Sequence, residues 1–481
     1  MTVYGNLIDG QWQSAAVSRP DINPSDLSDV VGEFASAGPA QAEQAVAAAS
    51  AAAPAWAALP GGARFEILDR AGDELVRRRA ELGDLLAREE GKTLAEASAE
   101  VARAGALLKF HAGQAVRGGG EQLGSLRPDV EVSVTREPVG VVTVITPWNF
   151  PIAIPAWKLA PALAYGNTVV FKPADSVPAS AWSLVDVLQR AGLPPGVLNL
   201  VMGRGRDIGD ALVGSAKVAA VSFTGSVATG ERVLATAQSR RARVQLEMGG
   251  KNPLVVCDDA DVELAVDVAL EGGFGSTGQR CTASSRLIVM DGIHDVFVER
   301  LIAAMRALRV GDARAPGTDM GPVVDAVQLA QDLRYLEIAA EQGGEVVGGE
   351  QLERATDGFY LAPAVVLGTG AADTINREEV FGPVVSVLRV GSYEEAVTVA
   401  NDTEFGLTAG IVTTSLARAG DFRRRSGAGM VMVNVATAGV DYHVPFGGRG
   451  NSSYGPREQG AAAREFYTVS KTAYVASGPA R

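Results

Sequence analysis

Sulfur and imidazole are scarce in this chain: 481 residues contain two cysteines, Cys257 and Cys281, and three histidines, His111, His294 and His443. Two thiols cannot build a disulfide framework, so both are read as free thiols of a protein in a reducing cytoplasm. No Cys/His spacing matches a structural or catalytic zinc site, and no metal is expected. An uninterrupted apolar run is also missing. The most apolar stretch, 139–171, is broken by Pro147, Pro151, Pro155 and Pro161 and carries Lys158, which excludes one continuous membrane helix. The first residues, MTVYGNLIDGQW, lack the basic start and apolar core of a secretory signal, so a cytoplasmic protein is expected. Positive charge is in deficit, with 43 Lys and Arg against 56 Asp and Glu and no basic stripe. Nucleic acid and membrane are therefore not expected partners.

What the chain does have is bulk. With 47% hydrophobic residues it can bury a large core and divide into two or three domains. The Ala-rich segment 39–103 has charges spaced for two or three amphipathic helices. Segment 130–137 (VEVSVTRE) and the tail near 466–475 alternate with the two-residue period of exposed strands, which can pair within or between subunits. Between them runs a strand–helix rhythm: VGVVTVIT, WKLAPALAYG, NTVVFKP, SAWSLVDVLQRAG, VLNLVMG, DIGDALVG and VAAVSFTG. Short β-branched runs separated by helical stretches indicate an α/β fold with a parallel sheet covered on both faces. A second such series follows Gly250, from PLVVCDDAD through RLIVM, HDVFVERLIAAMRAL, AVQLAQDLRYLEIAAEQG and PVVSVLRV.

Five places invite chemistry. In FTGSVATG, glycines follow a strand and precede a helical stretch, an arrangement whose amides suit a phosphate but which a ligand-free tight turn would equally produce. FKPAD ends a strand of the parallel sheet, where ligands bind beyond carboxyl ends. Lys172 and Asp175 there either face a ribose or are a solvated cation and a helix cap. Cys281 lies in FGSTGQRCTASSR, among small and polar residues unlike the neighbours of a structural thiol. A thiol of ordinary pKa near 8.5 would need nearby dipoles or a base to act as a nucleophile. Cys257, ending the apolar PLVVC, reads as core. Glu247, between apolar residues and a glycine pair, is either a buried general base or a satisfied structural acid.

Together the phrases TPWNFP, FKPAD, FTGS, LEMGGKNP, GQRC, EEVFGPV and PFGG occur in an order that resembles the aldehyde dehydrogenase superfamily over almost the whole chain. The resemblance implies that Cys281 is the nucleophile, Glu247 the base and Asn149 the oxyanion donor. It further implies a dinucleotide groove lined by Ile145, Thr146, Pro147 and Trp148. Lys172 and Asp175 would hold the adenosine ribose, with Gly205, Gly209, Phe223, Gly225 and Ser226 around the adenosine and pyrophosphate, and Glu379 and Phe381 at the nicotinamide ribose. The implied architecture is a Rossmann-type dinucleotide-binding domain (1–128 and 139–250), an α/β catalytic domain (251–450) and a small β oligomerisation extension (129–138 and 451–481), assembled as a homodimer or homotetramer. NAD is the implied cofactor, with NADP possible, and the partner is a small aldehyde.

A narrower likeness is to α-ketoglutaric semialdehyde (2,5-dioxovalerate) dehydrogenases, in PIAIPAWKLAPALAYGNTVVFKPAD, STGQRCTASSR and TAGVDYHVPFGGRGNSSYGPREQG. The chain departs from that pattern at Val435 and Ala436, where Leu-Pro is common, and at Gly450, where Lys is common. Succinic semialdehyde oxidation and broad aldehyde specificity stay open. A CoA-acylating enzyme would not need Glu247, and no histidine has the setting of a Cys–His phosphorylating enzyme. Arg280, beside the nucleophile, is a candidate cation for an acidic substrate, unless its side chain turns into the scaffold.

Overall fold

The computed structural model describes residues 3–117 and 119–476. Its largest sheet has eight strands, ordered Ser453–Tyr454, Arg243–Glu247, Val218–Thr224, Val141–Ile145, Thr168–Lys172, Leu198–Leu200, Asn6–Ile8 and Gln11–Gln13. The five strands from Arg243–Glu247 to Leu198–Leu200 run parallel. Every residue of Thr168–Lys172 is buried, as a strand covered on both faces requires. Helices Pro39–Ala58 and Ala153–Ala164 pack against this sheet. All twelve residues of Ala153–Ala164 are buried, Lys158 included.

The segment 39–103 yields four helices where two or three were expected: Pro39–Ala58, Gly61–Arg77, Arg79–Glu90 and Leu94–Ala115. Arg78 ends one helix and begins the next without a Gly or Pro between them, so the break leaves no mark in the sequence. Leu94–Ala115 starts with a capping box in which Thr93 and Glu96 satisfy each other's backbone amides.

A second sheet has seven strands, ordered Glu345–Gly348, Ala364–Leu367, Val384–Val390, Ser284–Met290, Asn252–Val256, Thr408–Val412 and Met430–Val433. All are parallel except Glu345–Gly348. Cys257 is buried at the end of Asn252–Val256, in the core that this sheet shares with Phe422 and Ile411.

The two alternating segments do pair, within one chain: Val130–Pro138 lies antiparallel to Thr468–Ala476, with Glu121–Gly124 on its other side. The tail departs from the expected extension before that strand. Ser453–Tyr454 pairs instead with Arg243–Glu247 in the large sheet, and Phe466 and Tyr467 are buried in the core. Residues 1–2, 118 and 477–481 of the expected segments lie outside the described residues.

Candidate active site

The parallel strands end together, and their registers align the predicted residues. Ile145 stands opposite Lys172 on one side and Phe223 on the other, and Thr224 stands opposite Glu247. Beyond this edge the chain turns into the loop carrying Pro147 and Trp148, and into helices Gly205–Val213 and Val227–Gln238. Neither helix has a side-chain hydrogen bond at its N-terminus, although Ser226 occupies one cap; its hydroxyl turns to Thr229 at 3.1 Å. Thr146 Oγ1 and Thr224 Oγ1, both on this edge, are buried without a partner among the described residues. Gly209 has open space where a side chain would project. Free helix amides, orphaned hydroxyls and an open glycine surface suit a dinucleotide.

Lys172 is buried, and burial lowers its pKa against the pull of Asp175. Its Nζ donates to the Pro173 carbonyl at 2.8 Å. Its Cε lies within 3.8 Å of the point a Gly205 side chain would start from, which brings Lys172 and Gly205 together. Asp175 is half-exposed and lies 3.8 Å from Arg204 Nε, a neighbour that sequence reasoning missed. Trp148 and Phe381 meet edge to face, with ring centroids 5.4 Å apart. Glu379 reaches under the glycine pair of LEMGG. Its Oε1 accepts from Gly250 N–H at 2.8 Å, and a side chain on Gly249 would collide with its Oε2 at 2.0 Å. Burial pushes the Glu379 carboxyl up to about 7.

Cys281 is delivered by a strained turn. Ser276, Thr277 and Gly278 follow one another in the left-handed region, with φ of 49°, 56° and 66°. A side chain at Gly278 would strike the Gly382 carbonyl at 2.2 Å, so only glycine fits. Asn252 holds the backbone on the far side of the turn, donating through Nδ2 to the carbonyls of Cys281 at 2.7 Å and Ala283 at 2.9 Å. Asn149 is buried, and its Nδ2 donates to the Gln279 carbonyl at 2.9 Å. One amide hydrogen thus orients the group while the second is left for a ligand. Burial, then the carboxylates Glu379 and Glu247, push the Cys281 thiol up to about 12.

Glu247 ends its strand buried, accepting from Ser453 Oγ at 2.5 Å. A side chain on Gly447 would come within 2.8 Å of its Oε1. Burial and the nearby Glu458 hold its pKa well above the usual carboxylate range. Behind it, Lys158 pairs with Glu458 and donates to Ser222 Oγ at 2.9 Å, which reaches Gln245 at 3.0 Å. Ser453, Lys158, Glu458, Asn252 and Gln279 were not foreseen as site residues. The one available signal was Lys158, a charge inside an otherwise apolar helix, which demands a buried partner.

A cavity of about 450 Å³ opens at Cys281, walled by Phe150, Ile154, Trp157, Tyr442 and Phe446. Arg280 turns into the scaffold, bound to Glu271 at 2.9 Å and Glu96 at 3.2 Å. Glu96 also accepts from Ser276 N–H at 2.7 Å, so this cation fastens the Cys281 turn to the capping box of helix Leu94–Ala115. Among the described residues no cluster of His, Cys, Asp and Glu is arranged to hold a metal, and no helix is long and apolar enough to cross a membrane.

The chain is similar to known proteins along almost its whole length. Residues 12–473 match the model of the aldehyde dehydrogenase family. The chain is 43% identical over 478 residues to an α-ketoglutaric semialdehyde dehydrogenase of Bacillus subtilis, covering 98% of each chain. It is 41% identical to a 2,5-dioxopentanoate dehydrogenase of Saccharolobus solfataricus, covering 98% of this chain and 99% of the other. A crystal structure of betaine aldehyde dehydrogenase from Staphylococcus aureus in complex with NAD+ superposes with a TM-score of 0.96 at 34% identity, covering 99% of this chain and 96% of that one. The chain is an enzyme of the aldehyde dehydrogenase family.

Proposed function

We propose that this enzyme oxidises α-ketoglutaric semialdehyde to 2-oxoglutarate with NAD, NADP being a slower alternative. What carries the reading is a Cys281 turn in the wall of a cavity, with an Asn149 amide hydrogen left for a ligand and a buried Glu247 whose charge reaches the thiol. The identity to semialdehyde dehydrogenases along the whole chain supports the substrate. The bound dinucleotide supplies the hydride acceptor.

The chain's own residues do the rest. Cys281 sulfur adds as thiolate to the aldehyde carbon, and the oxyanion accepts from Asn149 Nδ2 and the Cys281 N–H. One such donor lowers the barrier by about 3 kcal/mol. Loss of hydride leaves a thioester on Cys281. Glu247, whose buried carboxylate is a stronger base than an exposed one, takes a proton from water as its oxygen attacks the thioester carbon. The carbon–sulfur bond breaks, the acid departs and the thiolate returns. Lys158 and Glu458 lie behind Glu247 and tune it, the Glu458 charge raising its pKa and the Lys158 charge lowering it. Ile145, Thr146, Pro147, Trp148, Lys172, Asp175 and the glycine helices hold the dinucleotide, with Glu379 and Phe381 at its nicotinamide end. A homodimer or homotetramer forms through the exposed side of strand Thr468–Ala476.

Specificity constants with NAD for α-ketoglutaric semialdehyde, succinic semialdehyde, betaine aldehyde and pentanal test the substrate. The α-ketoglutaric compound should rank first. A higher value for betaine aldehyde or pentanal than for both semialdehydes would refute it.

A further inference from the structure

We propose that Arg103, on helix Leu94–Ala115, binds the distal carboxylate of the substrate while the aldehyde carbon lies at Cys281. Three cations line the cavity that contains Cys281: Lys92, Arg103 and Arg280. Two already have acidic partners. Lys92 pairs with Glu100 at 2.6 Å and with Glu90 at 3.8 Å, and its Nζ lies over the Phe150 ring. Arg280 is held by Glu96 and Glu271.

Arg103 forms no ion pair among the described residues. Its one side-chain hydrogen bond runs from Nη2 to Gln459 Oε1 at 3.3 Å. A guanidinium has five N–H donors in a planar fork that matches a carboxylate, so most of this donor set is unused. Leaving most donors of a largely enclosed guanidinium without a direct partner is costly unless a ligand supplies one. The fork offers paired hydrogen bonds to a carboxylate with an adjacent keto oxygen, the distal end of a 2-oxo acid.

The acids facing Arg103 are Glu100, on its own helix, and Asp441, on the loop that carries Tyr442. Glu100 is engaged by Lys92 and by the backbone amides of Ile152 and Ala153, both at 3.1 Å. Asp441 is exposed and competes with the substrate for Arg103. The cation expected at Arg280 is therefore supplied from a different element, helix Leu94–Ala115.

This inference rests on the semialdehyde reading, and the test separates the two. The readout is the ratio of kcat/KM for α-ketoglutaric semialdehyde to that for pentanal, a neutral aldehyde of the same chain length. Removing one partner of an enclosed charge pair costs a factor of about 30 or more, so Arg103→Met should lower the ratio by at least about 30-fold, mainly through KM for the acid. Arg103→Lys should recover part of it, because charge returns without the fork. Asp441→Asn, at an exposed position that cannot disturb the core, should raise the ratio. An unchanged ratio in Arg103→Met, with the acid still preferred, overturns the assignment and leaves the substrate reading standing. A wild-type enzyme that does not prefer the acid overturns both. If Arg103→Met does not fold, ratios unchanged in both Arg103→Lys and Asp441→Asn reject the proposal.

Discussion

Glu247 and Cys281 share an enclosure that disfavours charge, and their behaviour with pH follows from it. Both pKa values are raised, first by burial, so the base and the thiolate become available only as pH rises. Turnover should increase from mildly acidic to alkaline pH, and a flat or falling profile would contradict this. Glu247→Gln should slow deacylation by a factor of about 100 or more, visible as a burst of reduced cofactor followed by a slow steady state. Unchanged steady-state turnover would remove Glu247 from the mechanism. The same substitution carries a stability signature. The folded pKa of Glu247 lies above its unfolded value, so its contribution to stability is complete below the unfolded pKa and is lost as pH rises through the folded one. Glu247→Gln should therefore gain Tm relative to wild type on going to alkaline pH. Arg204 bears on cofactor choice. It draws off part of the Asp175 charge that would repel a 2′-phosphate, so Arg204→Ala should shift the ratio of specificity constants toward NAD by up to about fivefold. A shift toward NADP would show that Asp175 does not face the ribose.

At the scale of elements, the strand–helix rhythm was legible because parallel strands buried on both faces leave continuous β-branched runs. Val141–Ile145, Thr168–Lys172, Leu198–Leu200 and Val218–Thr224 all coincide with such runs. The motifs at their ends point to a candidate site because a parallel sheet delivers ligand residues there. Less could be read where long-range contact decides the structure. Ser453–Tyr454 is a two-residue strand whose pairing to Arg243–Glu247 has no local signal, yet it supplies the hydroxyl that Glu247 accepts from. Asn252 and Gln279 act through backbone carbonyls across the site, and no motif spacing encodes that. The direction of Arg280 was open in the sequence because one of the two acids that hold it, Glu96, is 184 residues away. The Cys281 turn depends on a left-handed glycine against a carbonyl. Gly278→Ala should cut activity far more than Gly209→Ala, whose side chain enters open space. Equal losses would mean the turn is not what positions the thiol.

At the scale of the molecule, the small three-stranded sheet ends in Thr468–Ala476, whose residues beyond Thr468 are all exposed in the single chain, Tyr474 and Val475 among them. A long edge strand with apolar side chains needs a cover. Light scattering should give a dimer or tetramer, and Tyr474→Lys with Val475→Lys should shift it toward monomer. A wild-type monomer would refute that role for the strand. In the proposed mechanism the fold serves one event, the capture of an acyl group on Cys281, and that event is directly measurable. Glu247→Gln enzyme mixed with NAD and α-ketoglutaric semialdehyde should show, by intact mass and peptide mapping, one acyl group on Cys281 appearing with the burst of reduced cofactor. Cofactor reduction with no acyl group on the protein, or with the group on another residue, would contradict the account.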